Sequence, residues 1–530
     1  KAVYAPTRTT VGRLTFEIID IDAFEDNTKS ASSEASISLL NQVTNKTREM
    51  TTKYATFEND YWKLDGSFAI PPMNTENGFE VGWWSNSLCD TSGIFNNESI
   101  TITFNKPHSS IGLTIAFDIR TNEYAKDFDI KFYKLDGNLI NTYSIIDNTE
   151  VLYTLDTPIS NYGKAVIVIK KWCTGNRRAR IKNIDFGIIK QYQDRELINM
   201  NIIEQVDVLS DIVPSNEIKF TIDNSSKSFN ILNPNGVYSY LQERQEVKAE
   251  LGIVLENNNI EYIPMGKYYL CDWQTDDNSI TASFTARDIL NSLEDIPYTI
   301  LEGGTLFNIA KSVLNTSGIT EYKIDEKLKY ITSQGFKEKL SCKRALQYIA
   351  LASRAVVFQD RYGKLIIRQV ETLDASINYM TFCGMDGVIC GSSIIEVNNQ
   401  FDMKSISLEN SYNVPKIKLD NPVKYLTIVL SDKTEVVVNN SNVINGVSYK
   451  IENQLINTEE QATEIAKWMF QEMNLRASYE VNWRQNPCLE CGDIVLVEDG
   501  FNSNKQSKIT KQEFNYNGYL SGSTGSKGGV

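Results

Sequence analysis

Apolar and polar residues alternate along residues 220–290, which predicts strands that each bury one face. In residues 247–253, and again in 280–284, every second side chain is apolar. Between these runs and the preceding strand lies Asn-Pro-Asn-Gly at 233–236, a turn in which proline presets φ and Asn-Gly tolerates a positive φ. The stretch therefore predicts several antiparallel strands around one core, as in a small barrel or sandwich.

Helical periodicity replaces this alternation after residue 300. Thr305 and Ser341 each precede an apolar stripe at helical spacing, so each is predicted to cap a helix. The apolar runs 355–358 and 364–368, joined by a loop that contains Gly363, predict a hairpin. A small α+β unit is therefore expected here.

A second β region is predicted after residue 372. It contains a longer helix at 458–476, capped by Thr458 and begun by two glutamates, which favour the positive end of the helix dipole. The apolar stripe of this helix predicts core packing. The Ser- and Gly-rich residues 516–530 predict a flexible tail.

The N-terminal third is predicted to be all-β. Leu14, Phe16 and Ile18 lie on one face of a strand, and a long loop or extended arm follows it. Short strands separated by turn residues then predict a β-sandwich between residues 75 and 190. Gly-Trp-Trp-Ser at 82–85, together with the closing strand at 180–187, resembles the galactose-binding or jelly-roll-like sandwiches of carbohydrate-binding modules.

Two adjacent tryptophans in this sandwich are candidates for sugar binding. Trp83 and Trp84 are neighbours in a predicted strand, so they point to opposite faces. An outward indole could stack on a sugar ring. The alternative, which we favour, is that it packs under a loop or against a neighbouring domain.

A basic cluster follows in the same region of an otherwise acidic chain. It could contact an anionic wall polymer, or it could pair with acidic residues of the neighbouring domains, and we favour pairing. Its members are Lys170, Lys171, Arg177, Arg178, Arg180 and Lys182, of which Lys171, Arg177, Arg178 and Arg180 are the candidate contacts.

Composition narrows the function further. The 530 residues carry a formal net charge of −14, a poor basis for an outer surface that grips nucleic acid. Catalytic sites built on histidine have one candidate, His108, which lies in Asn-Lys-Pro-His-Ser-Ser and is predicted to be a surface or turn residue. Acidic pairs for glycoside hydrolysis abound without one that stands out, so we predict no catalytic site.

Metal and cofactor sites are not predicted either. Cys488 and Cys491 form a single CxxC, and a structural zinc site needs two more ligands. Cys383 and Cys390 are the close candidates, but their spacing fits poorly, so ordinary thiols are expected. Gly303 and Gly304 lack the Lys-Ser/Thr of a phosphate-binding loop.

Three motifs in the 220–290 stretch resemble a known family. They are Tyr-Leu-x-x-x-Gln-x-Val at 240–247, Met-Gly-x-Tyr-Tyr-Leu at 265–270 and Phe-Thr-Ala-Arg-Asp-Ile-Leu at 284–290. In this order they resemble the first barrel domain of phage tail-hub, or baseplate-hub, proteins. The resemblance extends over residues 191 to about 520.

This resemblance implies a fold class and a division into domains. The expected fold is mainly β with α+β parts: a β-sandwich, then two tube-forming β-barrel-like hub domains with a small α+β domain between them. The predicted domains are an N-terminal strand and extended arm (1–74), the carbohydrate-binding-module-like sandwich (75–190), the first hub barrel (191–298), the α+β hub domain (299–372), the second hub β domain (373–515) and the flexible tail (516–530).

The resemblance also implies a role and partners. Hub proteins of this family are homotrimers whose barrel domains form a ring that continues the tail tube. The expected neighbours are tail-tube and distal tail proteins above and a tip or spike protein below. DNA is a transient passenger through the channel, and no cofactor is implied. The location would be the virion, assembled in the bacterial host cytoplasm, or a headless particle such as a tailocin.

Two alternatives come from other functional classes. The chain could be an adhesin whose sandwich binds host cell-wall polysaccharide, or a tail-associated cell-wall hydrolase. The single histidine argues against a Cys/His peptidase but leaves glycosidases open.

Overall fold

β-Strands dominate the chain, in line with the alternating pattern. The structure is a computed structural model, and it describes residues 5, 7–44, 52–71, 80–234, 236–275, 280–370, 405–500 and 504–529. A sandwich, two further β regions and α+β parts are all present, which confirms the predicted fold class.

The N-terminal third contains fourteen strands and one short helix, α1 (Asp22–Glu25). The strands are β1 (Thr10–Ile19), β2 (Thr28–Ala31), β3 (Lys53–Tyr54), β4 (Phe68–Ala69), β5 (Trp83–Leu88), β6 (Ile94–Ser110), β7 (Leu113–Ala116), β8 (Ala125–Tyr133), β9 (Leu139–Ile145), β10 (Leu152–Leu155), β11 (Ile159–Trp172), β12 (Arg178–Ile181), β13 (Asn183–Asp185) and β14 (Gly187–Gln193).

The sandwich consists of a five-stranded sheet, β2-β6-β11-β8-β9, and the smaller sheets β10-β7-β13 and β12-β5. Its core is aromatic and β-branched: Trp83, Phe117, Phe128 and Ile167 are all fully buried. Alternating strands of this kind bury one face of each sheet against the other.

The first barrel region adds five strands and a short helix, α2 (Ile289–Ser292). The strands are β15 (Leu197–Gln205), β16 (Glu217–Asp223), β17 (Glu246–Val254), β18 (Ile260–Gln274) and β19 (Thr281–Arg287). They follow the order β14-β1-β17-β18-β19-β16-β15. Three rings fill the centre, Phe16, Phe220 and Phe284, with centroids 5.0 to 6.1 Å apart.

Strand β1 belongs to this barrel sheet rather than to the sandwich. It pairs antiparallel with β17 on one side and with β14 on the other. Residues 20–186, which include the sandwich, are therefore an insertion between two paired strands of the barrel.

The next part contains two well-formed helices, α3 (Leu306–Thr316) and α4 (Cys342–Ser353). Thr305 caps α3 and Ser341 caps α4, each by accepting a hydrogen bond from a backbone N–H three residues on, as predicted. The strands are β20 (Pro297–Tyr298), β21 (Gly304–Thr305), β22 (Tyr322–Ile324), β23 (Thr332–Ser333), β24 (Leu340–Ser341), β25 (Ala355–Gln359) and β26 (Leu365–Gln369). Strands β25 and β26 form the predicted hairpin.

In residues 405–500 and 504–529, the C-terminal part adds nine strands and helix α5 (Glu459–Met473), which Thr458 caps as predicted. The strands are β27 (Ser405–Ile406), β28 (Lys416–Leu419), β29 (Val423–Val429), β30 (Glu435–Asn439), β31 (Val447–Glu452), β32 (Ala477–Trp483), β33 (Ile494–Glu498), β34 (Asn504–Tyr516) and β35 (Leu520–Gly528). Short 3-10 turns lie at Leu40–Thr44, Tyr238–Tyr240, Glu326–Tyr330 and Leu408–Asn410.

One apolar core spans the predicted boundary at residue 372. It contains the buried faces of α3 and α4 together with α5 and the small sheet β30-β29-β31. The side-chain amide of Asn453 also donates to the backbone carbonyl of Tyr348, at 2.8 Å. The α+β part therefore includes α5, although the chain reaches it only after the second β region has begun.

The first barrel and the C-terminal β region are parts of one sheet. Strand β15 pairs with β16 on one side and with β34 on the other, and the sheet continues through β35, β32 and β28. The N–H of Leu520 donates to the hydroxyl of Thr10, at 3.0 Å, so strand β1 also approaches this junction.

The predicted flexible tail at 516–530 is wrong for the residues described, because β35 is a central strand paired with β34 and β32. Its small polar side chains are buried and bonded: Thr524 accepts from the indole N–H of Trp483, at 2.9 Å, and Ser526 bonds Ser507. A Ser- and Gly-rich sequence thus forms a core strand where neighbours approach too closely for larger residues.

Candidate functional site

The two candidate tryptophans do not face solvent. Trp83 lies in the sandwich core, and Trp84 packs with Tyr54 and Val81 in a small cluster on the other side of strand β5. Both side chains are fully buried. Neither indole is therefore exposed for stacking on a sugar, and Trp84 is covered, as in the alternative that the sequence analysis favoured. Trp84 does point away from the sandwich core, but residues 52–71, which we call the strap, cover it together with Ala35 and Val81.

Four arginines meet three carboxylates beneath the strap, and we call this group the arginine cluster. Its members are Arg120, Arg177, Arg178 and Arg180, with Glu58 of the strap and Asp118 and Glu123 of the sandwich. The pairing that the sequence analysis favoured is present for three of the four candidate residues. The acids come from the strap and the sandwich, however, and not from a neighbouring domain.

Arg180 is the centre of the cluster and is 1% exposed. Its guanidinium pairs with Glu58, and also approaches Asp118 at 3.6 Å and Glu123 at 3.4 Å. The guanidinium carbon lies 4.1 Å from the ring centre of Tyr61 and 4.3 Å from that of Trp84. Burial of a charge at this depth requires such pairing, and the two flanking rings add cation–π attraction.

The other arginines surround this centre. Arg177 donates to Glu123 at 2.8 Å, and Arg120 donates to Asp118 at 3.0 Å. The backbone N–H of Arg178 donates to Glu58 at 2.9 Å. Among the described residues, no ion pair joins Lys171 to these carboxylates.

Burial and the neighbouring charges shift the pKa values of Asp118 and Tyr61. Burial alone would raise the pKa of Asp118, but Arg120 and Arg180 hold that pKa below its ordinary value. Asp118 is therefore a carboxylate, and it accepts a hydrogen bond from the hydroxyl of Tyr61 at 3.0 Å. Burial raises the pKa of that hydroxyl, so it stays protonated and acts as the donor.

Glu58, Tyr61, Asp118 and Glu123 were not singled out from the sequence. Glu58 lies 120 residues before Arg178, and no local pattern links residues so far apart. The concentration of arginine at 177–180 was the detectable signal, because buried guanidinium groups need acidic partners.

His108 is not a surface or turn residue, and this prediction was wrong. It lies in strand β6, is 4% exposed, and bonds two carboxylates: Nδ1 to Asp20 at 2.8 Å and Nε2 to Asp26 at 3.0 Å. The hydrogen bond from His108 lowers the pKa of Asp26 below its ordinary value. Because Asp20 directly follows barrel strand β1, His108 connects the sandwich to the barrel. A polar cleft of about 470 Å³ adjoins it.

A second buried ion pair connects the first barrel, the β25–β26 hairpin and the C-terminal part of the chain. Arg361, in the turn between β25 and β26, donates to Glu204 of β15 through Nε at 2.7 Å and Nη2 at 2.9 Å. It also donates to the carbonyls of Pro487 and Leu489 in the C-terminal part. Gln359 of the same hairpin donates to the carbonyl of Lys267, at 2.7 Å. We call Glu204, Arg361 and Gln359 the hub junction.

The structure shows no group suited to metal binding in the part of the chain that it describes: no three His, Cys, Asp or Glu side chains there could hold an ion. Burial raises the pKa of the Cys491 thiol well above its ordinary value, which disfavours the thiolate that a metal requires. Cys383 and Cys390 lie outside the described residues. Of the described helices, none combines the length and apolar character that a membrane crossing requires.

Comparison with known proteins gave matches among solved structures. No protein-family model and no curated protein sequence matches the chain. A 43 kDa tail protein of prophage MuSo2 from Shewanella oneidensis is 13% identical, with a TM-score of 0.39 over 64% of this chain and 94% of that one. A tail protein from Neisseria meningitidis is 12% identical, with a TM-score of 0.41 over 64% and 93%.

The sandwich has its own match. The family 32 carbohydrate-binding module of C. perfringens NanJ, solved with galactose, is 13% identical, with a TM-score of 0.21 over 32% of this chain and 97% of the module. Both classes that the sequence resembles, tail proteins and carbohydrate-binding modules, are thus represented among the similar structures.

Proposed function

We propose that this chain is a structural hub of a phage tail tip or baseplate, or of a related contractile particle. In this proposal three copies form a ring that continues the tail tube and guides DNA, or the tube itself, towards the host envelope. The observation that carries the proposal is the continuous sheet. A first barrel and a second β region are joined strand to strand at β15 and β34, whose paired residues are more than 300 positions apart in sequence.

The hub junction supports the same proposal. Ion pairs and amide hydrogen bonds between buried groups fix the β25–β26 hairpin against both β regions, so the two regions and the α+β part are held in one arrangement. A component of a ring that transmits force along a tail needs this rigidity. The net charge of −14 is compatible with a channel wall that repels DNA.

An exposed edge strand offers a surface through which copies of the chain could contact one another in the proposed ring. Strand β28 ends the large sheet, and all four of its residues are exposed, including Ile417 and Leu419 at 50% and 52%. Ile417 and Leu419 alternate with Lys416 and Lys418 along it, and the unpaired backbone groups of an edge strand can pair with a strand of another copy. We place a contact between copies at this edge.

Native mass spectrometry and negative-stain imaging of the purified chain test the proposal. We expect a trimer and ring-shaped particles. Ile417→Asp should shift the protein towards monomer, whereas Ile146→Asp, at a residue of the sandwich that is 73% exposed, should leave the trimer intact. A native chain that stays monomeric at all concentrations, without rings, would refute the hub proposal. A trimer that tolerates Ile417→Asp would refute the assigned contact.

A further inference from the structure

The strap is attached to the sandwich mainly through charged groups. Its strands β3 and β4 pair with each other, and no strap residue belongs to the sandwich core. Within the described strap, Phe57, Leu64 and Ile70 are more than 80% exposed, while Tyr54 and Tyr61 are the large apolar side chains that are buried. Removal of the strap would therefore leave the core of the sandwich intact.

Without the strap, the arginine cluster would carry an excess of positive charge. With Glu58 in place, four guanidinium groups face three carboxylates. Without it, the same four arginines face Asp118 and Glu123 alone, and the part of the Trp84 indole that Tyr54 and Tyr61 contact is uncovered beside them, while its packing with Ala35 and Val81 remains. A site with excess positive charge, hydrogen-bonding carboxylates and an aromatic face is suited to an acidic sugar, because guanidinium groups bind carboxylates and flat rings stack on indoles.

The strap itself supplies the groups that such a ligand would carry. Glu58 places a carboxylate against Arg178 and Arg180. Tyr61 places a flat ring over the guanidinium of Arg180, and its hydroxyl donates to Asp118. A carboxylate, a ring and a ring hydroxyl are the parts of a uronic acid residue.

We propose that the arginine cluster and Trp84 form a binding site for a carboxylated sugar polymer, and that the strap occupies this site until the polymer displaces it. Binding then requires opening, so the apparent affinity falls by the fraction of molecules in which the strap is displaced. The site lies in the sandwich and does not depend on the oligomeric state of the hub.

Glu58→Gln is the most direct test, because it removes the competing charge while preserving the shape of the strap. Binding of polygalacturonate to the purified full chain is measured by isothermal titration calorimetry. We expect the variant to bind roughly 10-fold or more tightly than the native chain, the effect of weakening one charge-assisted hydrogen bond in a competing contact. Glu150→Gln makes the same charge change at an exposed sandwich residue and should leave binding unchanged.

Further variants locate the binding site, and a second polymer tests the chemistry of the ligand. Adding Arg178→Gln to the Glu58→Gln variant should abolish the gain. Tyr61→Phe, which removes only the hydroxyl that holds Asp118, should also increase binding, and it replaces Glu58→Gln if that variant does not fold. Equal binding of polygalacturonate by the native chain and by folded strap variants would overturn the proposal. Binding of poly(glycerol phosphate) without binding of polygalacturonate would overturn the assignment to a carboxylated sugar.

Discussion

The side chain of Arg361 connects its own β25–β26 hairpin to Glu204 of the first barrel and to the carbonyls of residues 487 and 489. Both side chains are 7% exposed, and the guanidinium donates to both carboxylate oxygens of Glu204. Arg361→Met keeps the apolar stem but removes the charge. We expect this change to destabilise the contact among all three parts.

The expected loss in the free energy of unfolding follows from the groups that Arg361→Met leaves without a partner. Removing one partner of a buried ion pair costs about 3–5 kcal/mol, because the other charge stays buried without compensation. The carbonyls of Pro487 and Leu489 also lose a donor, at about 1 kcal/mol each, and packing of the methionine offsets part of that. We therefore expect a loss of roughly 4 kcal/mol in the free energy of unfolding. The double variant Glu204→Gln/Arg361→Met should recover much of it, since no buried charge remains.

Urea unfolding followed by tryptophan fluorescence measures the effect. Lys433→Met is the matched control: it breaks an ion pair with Glu452 whose side chains are 72% and 48% exposed, and it should leave the unfolding midpoint unchanged. If Arg361→Met unfolds at the same urea concentration as Lys433→Met, the hub junction does not hold the three parts together.

Two further predictions concern single residues in the hub region. Burial raises the pKa of Asp288 to about 7, so the folded chain should lose stability as pH rises from about 4 to 7. This loss in the free energy of unfolding amounts to at most about 4 kcal/mol, and Asp288→Asn should abolish it. If the free energy of unfolding, measured with urea, falls with pH equally in both proteins, the reasoning is contradicted. In β35, a Cβ at Gly522 would lie 1.8 Å from the carbonyl oxygen of Glu513, whereas one at Gly525 would make ordinary contacts. Gly522→Ala should therefore cost about 1–3 kcal/mol of thermal stability and Gly525→Ala almost none, and equal melting temperatures would refute the close-approach argument.

Local elements were predictable from sequence because their signals are local. The caps Thr305, Ser341 and Thr458 each stand directly before an apolar stripe, and all three helices begin there. The β25–β26 hairpin likewise lies within fifteen residues and carries its own turn. Periodicity and capping chemistry decide such elements without knowledge of the rest of the chain.

Long-range pairing was not predictable in the same way. Strand β1 was predicted as a strand. Its partner β17 lies more than 200 residues away, so the local sequence pattern could not predict that β1 belongs to the barrel. Strand β35 was missed because Ser, Thr and Gly favour loops unless close neighbours need small residues. The same limit applies to the arginine cluster: Arg177, Arg178 and Arg180 stand together in sequence, but Glu58 and Asp118 are far from them.

The sandwich is inserted into the barrel sheet through two paired strands. Its insertion begins after Ile19 and ends at Gly187, and these two residues are paired across β1 and β14. A Cβ at Gly187 would lie 2.1 Å from the carbonyl oxygen of Ile18, so the two ends of the insertion leave the barrel in direct contact. A domain that enters and leaves through paired strands imposes little loop-closure entropy on its host. His108, bonded to Asp20, then fixes the sandwich near this base. The strap and the arginine cluster share no residue with the hub junction, so the binding and the assembly proposed above depend on different residues and can be tested by separate substitutions.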